Sequence, residues 1–361
     1  MIKRFISLFA LAFTLLPVLA QIPAGYYNTA KGKTGAELKT ALYVIIKDHD
    51  ALSYAGLWTA FQTTDRKSNG NVWDMYSDNP GGTPPYEYTF IADQCGNYSG
   101  ENSCYNREHS FPKSWFNDGY PMYTDLFHLY PTDGYVNGKR SNYPFGEVGS
   151  ASWTSMNGSK LGTSSFPGYS GTVFEPIDEY KGDFARTYFY MVTRYENVVT
   201  SWNSDVLDGS KYPAFTTWTK NMLLEWHRQD PVSPKEVNRN NTIYNDFQHN
   251  RNPFIDYPDY AECIWATCPN GDPTGIDVVT ERLDASLYPN PASDMVTVVT
   301  PDNLTVSQLE LFNLIGQRIY SDNVEGKQSP FTLQLSGVKP GVYLVRVVTH
   351  KGTVSKRLVV K

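Results

Sequence analysis

Glu108 and His109 stand side by side in the stretch "CYNREHSFPKSWF" (residues 104–116), preceded by Arg107 and followed by Pro112. A histidine near its ordinary pKa can take a proton from water, which is the work of a general base. A carboxylate beside it can hold a hard cation, and such a cation neutralises charge on a phosphate. A second stretch, "TDLFHLYPTDGYVNGKRSNYPFG" (residues 124–146), brings Asp125, His128, Asn137, Arg140 and Asn142 into a short span. Asn137 can supply an amide oxygen to the same cation, since magnesium needs few protein ligands and keeps several waters. Arg140 can grip a phosphate oxygen. The chemistry these types suit is metal-assisted hydrolysis of a phosphodiester. The plainer reading of each residue, a surface charge or a turn asparagine, is weighed against it by the rest of the chain.

Glu108 and His109 point to opposite faces if they lie on a strand, so one site can use both only at the end or edge of that strand. The elements that must hold them are legible by period. "KTGAELKTALYVIIKDHD" reads as a helix with Leu38, Ala41, Leu42, Ile45 and Ile46 on one face, and Thr34 and Glu37 have capping-box spacing. "KGDFARTYFYMVTRYENVVTSW" is a second helix, with Ala185, Phe189, Val192 and Tyr195 on one side, and "TTWTKNMLLEWHRQDP" is a third, ended by Pro231. The second and third are expected to pack together as the scaffold. Residues 63–105, rich in Gly, Pro, Asn, Asp and Tyr, are expected to form loops and short strands. His227 and His249 are read as structural, and "KGDFAR" as a cap and ion-pair cluster in which Asp183 suits the helix dipole.

The chain begins with Lys3 and Arg4 and the apolar run "FISLFALAFTLLPVLA", closed by Val18-Leu19-Ala20. This reads as a signal peptide over residues 1–20, because the run is below the roughly 20 residues a membrane span needs. Export favours oxidised cysteines, and the four fall into close pairs, Cys95–Cys104 and Cys263–Cys268, with no CxxC spacing for zinc. After Cys268 a Pro/Gly/Asp segment, 268–285, reads as a linker between a domain at 21–267 and one at 286–361. Beyond it the pattern turns to alternation, as in "MVTVVT" and "VYLVRVV", which predicts a small β-sandwich. The charges also divide. Residues 21–277 carry 20 basic and 30 acidic groups, and residues 278–361 carry 9 and 7. The whole chain is at −6, or −8 once Lys3 and Arg4 are removed, a balance that does not advertise nucleic-acid binding.

"NREHSFPKSWF" followed by "DLFHLYPTDGYVNGKRSN" resembles the endonuclease I family of secreted bacterial nucleases, within the ββα-metal or His-Me finger group. "YYNTAKGKTGAELKTAL", "YKGDFARTYFYMVTRY" and "DPVSPKEVNRNNTIYNDFQHNRNPFIDYP" fit the same family, so the likeness covers roughly residues 24–260. The resemblance implies an α+β fold, a mostly helical nuclease domain around a ββα-metal finger. A strand carrying Glu108 and His109, a loop, a second strand and a helix carrying Asn137 make the finger. It implies His109 as general base and Glu108 and Asn137 as ligands of magnesium, with calcium or manganese as alternatives. Water attack in line would leave a 5′-phosphate. The family places its phosphate-binding arginine in a variable loop, and Arg140 is the candidate here. Where many members read Asp-x-His-Asn-Leu, this chain reads Asp125-Leu126-Phe127-His128-Leu129, so an amide is replaced by His128. Asp125, His128 and Asn142 are expected to orient the site without touching the cation. The Cys95–Cys104 pair also departs from the cysteine arrangement of the best-known members.

Arg107, Lys113, Lys139 and Arg186 are the cations expected to line a nucleic-acid cleft, a local answer to the acidic total. The tail, with Pro289-Asn290-Pro291, Gly316, Gly341-Val342-Tyr343 and basic Lys356, Arg357 and Lys361, resembles the sorting domain of the type IX secretion route. Together these imply a monomeric nuclease that passes through the periplasm to the cell surface or medium and cuts DNA, with RNA as a further candidate, without stable membrane insertion. Two readings stand beside this one. The first is an exported nucleic-acid-binding or adhesion protein on a decayed nuclease fold, against which the joint retention of Glu108, His109 and Asn137 argues. The second is a phosphodiesterase of small nucleotides.

Overall fold

The computed structural model describes residues 22–269, 285–300, 305–313, 318–324, 329–349 and 352–361, and these fall into two compact units, the first holding residues 22–269 and the second those from 285 onward. The expected signal peptide and nearly all of the expected linker lie outside the described residues.

In the first unit α1 (Gly35–Ile46) buries Leu38, Leu42 and Ile46 as its period requires. Thr34 is its N-cap, but the side chain makes no capping bond. After α2 (Leu57–Thr64) comes β1 (Tyr105–His109), which pairs antiparallel with β2 (Leu129–Asp133), with Glu108 opposite Tyr130 and His109 opposite Leu129. The short helix α3 (Gly134–Arg140) follows β2 directly. A second antiparallel sheet holds β3 (Val148–Thr154), β4 (Lys160–Ser164) and β5 (Thr172–Glu175) in that order.

The centre of the unit is α4 (Lys181–Arg194), against which α5 (Thr217–Gln229) packs as expected. The one-sided face predicted for α4 is a partial description, because all 14 of its residues are buried. Its charges are tolerated because each has a partner. Lys181 meets Glu147 and Glu175, Asp183 meets Lys235, and Arg186 meets Glu236. Glu236 is also the closing residue of a capping box with Ser233 at the start of α6 (Pro234–Thr242), so one carboxylate ties that helix start to α4. The short α7 (Pro253–Asp256) and α8 (Asp259–Trp265) complete the unit. Both expected disulfides, Cys95–Cys104 and Cys263–Cys268, are present.

The unit is less helical than expected. Its five strands form two sheets, and residues 65–104 carry no helix and no strand beyond isolated bridges. That segment is held by side chains: Lys67 and Asn69 bind Glu87, and the hydroxyls of Tyr86 and Tyr88 both donate to Asp133. The short strands predicted there are absent because these polar anchors replace ladder pairing.

The second unit has two antiparallel sheets. One orders β10 (Phe331–Gln334), β7 (Met295–Val299) and β6 (Ser286–Tyr288). The other orders β12 (Gly352–Val360), β11 (Gly341–Thr349), β8 (Val306–Asn313) and β9 (Arg318–Asn323). Val296, Val298 and Leu333 from the first share one core with Leu309, Leu311, Val345, Val347 and Leu358 from the second, as alternation predicts for a sandwich.

His227 on α5 is structural, as read from the sequence. Its Nε2 lies 3.0 Å from the Pro258 carbonyl and its Nδ1 3.4 Å from an Arg186 nitrogen. The neutral ring donates to the first and accepts from the second, whereas a protonated ring would set an N–H against the guanidinium. Burial, and then Arg186, push its pKa down to about 4. The unfolded chain therefore takes up this proton first, and stability present above pH ~6.5 is lost as the pH falls toward the folded value, by up to about 1.4 kcal/mol per pH unit. Urea midpoints followed by tryptophan fluorescence between pH 7.5 and 4.5 should fall less steeply in His227→Gln than in the wild type; parallel slopes would show that this ring carries no such linkage.

Candidate active site

Asp133 sets the frame of the site. It ends β2 and caps α3, with Oδ1 accepting from the Tyr135 and Val136 amides at 2.7 and 2.8 Å. Its Oδ2 accepts from Tyr88 Oη at 2.6 Å and the Asn102 amide at 2.8 Å. The Asp133 amide in turn donates to Asp74 Oδ2 at 3.0 Å, and burial together with the Asp133 charge raises the Asp74 pKa to about 7. α3 thus leaves the strand in a fixed direction.

Asn106 and Glu108, two apart on β1, share a face. That face meets α3 at two points. Asn137 Nδ2 donates to Asn106 Oδ1 at 2.7 Å, and Arg140 Nη1 donates to Glu108 Oε1 at 2.9 Å. Asn137 and Arg140 can do both because residues three apart are neighbours on a helix. Tyr76 Oη also donates to Glu108 Oε1 at 2.9 Å. Burial raises the Glu108 pKa, and Arg140 and Tyr76 offset part of that rise. Both of these bonds fall on Oε1, so Oε2 is the carboxylate atom they leave over, just as Oδ1 is the atom of the Asn137 amide left by its bond to Asn106.

Arg140 itself faces inward. It is fully buried, and beyond Glu108 it donates to the carbonyls of His109 at 2.8 Å and Ser110 at 2.5 Å, with the guanidinium 4.6 Å from the centre of the Phe145 ring. This corrects the expectation that it reaches out to a phosphate. A guanidinium so engaged positions Glu108 and the end of β1. Arg186, expected along a nucleic-acid cleft, is likewise buried in its pairing with Glu236.

His109 occupies the opposite face of β1 with Arg107. Its Nε2 lies 3.1 Å from the Tyr123 carbonyl, so Nε2 carries the proton and Nδ1 carries the lone pair. Burial lowers its pKa well below 6.5, and His128, whose ring centre is 5.4 Å away, adds to this. The ring is therefore neutral at neutral pH, the form a base requires. His128 is buried, with Nε2 2.7 Å from the Met122 carbonyl. Asp125 accepts from Tyr190, Tyr195, Gln248 and the Phe127 amide. Burial raises its pKa, but His49, His128 and those hydrogen bonds outweigh this and hold it below the usual carboxylate value. Asp125 and His128 thus brace the loop that carries Tyr123, whereas Asn142 lies exposed beyond α3.

Of the outer cations, Arg107 is half-buried and donates to the Tyr54 carbonyl at 2.8 Å. Lys113 is paired with Asp118 at 2.6 Å on the surface, and Lys139 lies over Tyr135. Tyr76, Asp74 and Tyr54 were not anticipated, since nothing in their local pattern marks them; Asp133, before Gly134 at a helix start, carried an N-cap signal.

No group of three or more His, Cys, Asp and Glu suited to a metal occurs among the described residues. The donors Glu108 Oε2 and Asn137 Oδ1 are both hard oxygens, so they fit a cation that fills most of its shell with water and not a soft transition metal.

The model of the family described as Endonuclease I matches residues 34–259. An extracellular ribonuclease of Bacillus amyloliquefaciens is 38% identical over 245 residues, 66% of this chain and 78% of that protein. The chain belongs to the endonuclease I family. The extracellular ribonuclease of Bacillus subtilis (strain 168) is 37% identical over 246 residues, and covers 66% of this chain and 78% of that protein. An Endonuclease-1 of Buchnera aphidicola subsp. Baizongia pistaciae is 28% identical over 140 residues, 39% of this chain and 47% of that protein. Residues 286–361 match the secretion system C-terminal sorting domain, in agreement with the resemblance seen in the tail. This endonuclease I family member is thus a hydrolase of nucleic-acid phosphodiester bonds, exported to the cell surface or beyond. No helix among the described residues is long and apolar enough to cross a membrane.

Removing Arg140 strands a buried carboxylate, which costs about 3–5 kcal/mol. All 8 tryptophans lie in the first unit, so their fluorescence in urea reads that unit alone. Arg140→Ala should lose stability of that order and regain part of it when Glu108→Gln is added; a loss below about 1 kcal/mol, the scale of a surface pair, would contradict the assignment.

Proposed function

We propose that this enzyme is a cation-dependent, sequence-tolerant endonuclease of DNA and RNA in which His109 is the general base and the products carry 5′-phosphates. The observation that supports this most is the state of His109. Its Nε2 is held by the Tyr123 carbonyl, its ring is kept neutral, and it sits where β1 ends, next in sequence to Glu108. β1, β2 and α3 are then read as the ββα-metal finger, with residues 21–267 as the catalytic domain, 268–285 as linker and 286–361 as the address for the type IX machinery.

The residues divide the work as follows. His109 Nδ1 takes a proton from water, and the oxygen attacks the phosphorus as the bond to the 3′ oxygen breaks; that oxygen takes a proton from a solvent water, His109 later returns its own to solvent, and the phosphate stays on the 5′ side. Water and not a 2′-hydroxyl attacks, so DNA and RNA are cut alike. Glu108 and Asn137 would hold magnesium, or calcium or manganese in its place, and the bound cation would neutralise negative charge on the phosphate. Arg140 positions Glu108. Arg107 shares the His109 face of β1 and gives only one of its five N–H groups to Tyr54, which makes it the better candidate for a phosphate oxygen. Lys113 and Lys139 add local positive charge on an acidic monomer, so binding should weaken with salt at the shallow slope that a few phosphate contacts give.

Plasmid nicking by the full chain tests this. Cutting in magnesium should stop with EDTA, should fall by roughly 10²-fold or more in His109→Ala, and should leave ends that a ligase accepts as 5′-phosphates. Wild-type rates in His109→Ala, or 3′-phosphate ends, would overturn the mechanism.

A further inference from the structure

A strip of rings and cations runs beside His109 that the hydrolytic step does not use. Tyr54 and Tyr123 lie 4.7 Å apart between ring centres at 35°, and Tyr123 and Tyr120 lie 5.3 Å apart at 52°. At the Tyr54 end the Arg107 guanidinium is 3.5 Å from the Tyr54 centroid and 4.4 Å from that of Trp58, so it is shared by two rings. Lys113 Nζ is 5.3 Å from the Tyr123 centroid. The strip touches the base directly: the His109 ring is nearly parallel to Tyr54, at 6.3 Å and 20°, and 5.1 Å from Tyr123.

Tyr54, Trp58 and Tyr123 pack against the buried core without being enclosed by it, and Arg107 lies over Tyr54 and Trp58. Tyr54, Trp58 and Tyr123 are half-buried, and Tyr120, at 63% exposed, is not required by packing. Partly open π faces interleaved with cations are what a single strand of nucleic acid offers ligands for: bases stack on the rings while phosphates meet the charges. A duplex keeps its base faces inside its own stack and cannot use such a surface. Resting on the reading that the scissile phosphate lies at His109, we propose that Tyr120, Tyr123, Tyr54 and Trp58, with Arg107 and Lys113 between them, form a stacking platform for unpaired bases flanking that phosphate. The enzyme therefore prefers single strands to duplexes.

The test is equilibrium binding by the full chain carrying His109→Ala, in magnesium, to labelled 12-nucleotide probes. The probes are oligo-uridine, oligo-thymidine, a thymidine strand with several abasic positions, and a duplex. Intact single strands of both sugars should bind roughly tenfold more tightly than the abasic strand, the scale of one stacked base. Tyr120→Ala should reduce that difference and leave duplex binding unchanged, and Tyr120→Trp should restore it. With His109 intact, Tyr120→Ala should raise KM for single strands at constant kcat. Equal binding of intact and abasic strands overturns the proposal, as does a Tyr120→Ala loss shared equally by single strand and duplex. Base-dependent binding by a protein that cuts nothing would uphold the platform while refuting the nuclease mechanism; efficient cutting without base dependence would do the reverse.

Discussion

Arg140 binds the Glu108 carboxylate and the carbonyls of His109 and Ser110 together, so one side chain of α3 fixes both the proposed ligand Glu108 and the backbone at the end of β1. A guanidinium can do this because its planar fork presents several donors in fixed directions, which a lysine cannot. The bond geometry demands that α3 lie across the Asn106–Glu108 face of the strand. That in turn requires the Asp133 cap, and the cap requires the Asp74, Tyr86 and Tyr88 contacts from the otherwise irregular segment 65–104. The loop-rich part of the domain is therefore not filler. It is the mould that sets the helix start.

The same constraint explains how adjacent residues with opposed side chains can act together. β1 places Glu108 toward α3 and His109 toward Tyr54 and Tyr123. Because the strand ends at His109, the proposed mechanism sets the phosphate at that end, between the carboxylate side and the imidazole side. Burial supplies the chemistry: it keeps the imidazole neutral, while the Tyr123 carbonyl selects which nitrogen bears the proton. Outside this centre the chain presents aromatic rings and a few cations on an acidic surface, which favours local contacts with the substrate over long-range attraction.

Much of this was legible by local pattern. Helical period marked α1, α4 and α5, alternation marked the C-terminal sheets, and close spacing marked both cysteine pairs. The Glu108, His109 and Asn137 set was legible as types suited to hydrolysis, and the family likeness tied the three together. What was not legible is pairing across distance. Arg140, in a run of Gly, Lys, Ser and Asn, reads as a surface residue because Glu108 lies 32 positions away, and Arg186 reads so because Glu236 lies 50 positions away. The full burial of α4 was hidden by its own charges for the same reason. The mostly helical domain was an implication of the family likeness, and it left out the β3–β4–β5 sheet, whose short strands carry only weak alternation.

In the proposed mechanism Glu108 and Asn137 form one cation site at the end of β1, with Arg140 bonded to Glu108 Oε1. Titration of the full chain with manganese, followed by electron paramagnetic resonance, tests it without recourse to activity. One bound ion is predicted in the wild type, with binding lost in Glu108→Gln and weakened by about tenfold or more in Asn137→Ala, a loss of about 1.4 kcal/mol. Unchanged manganese binding in both variants would place the cation elsewhere and contradict the account.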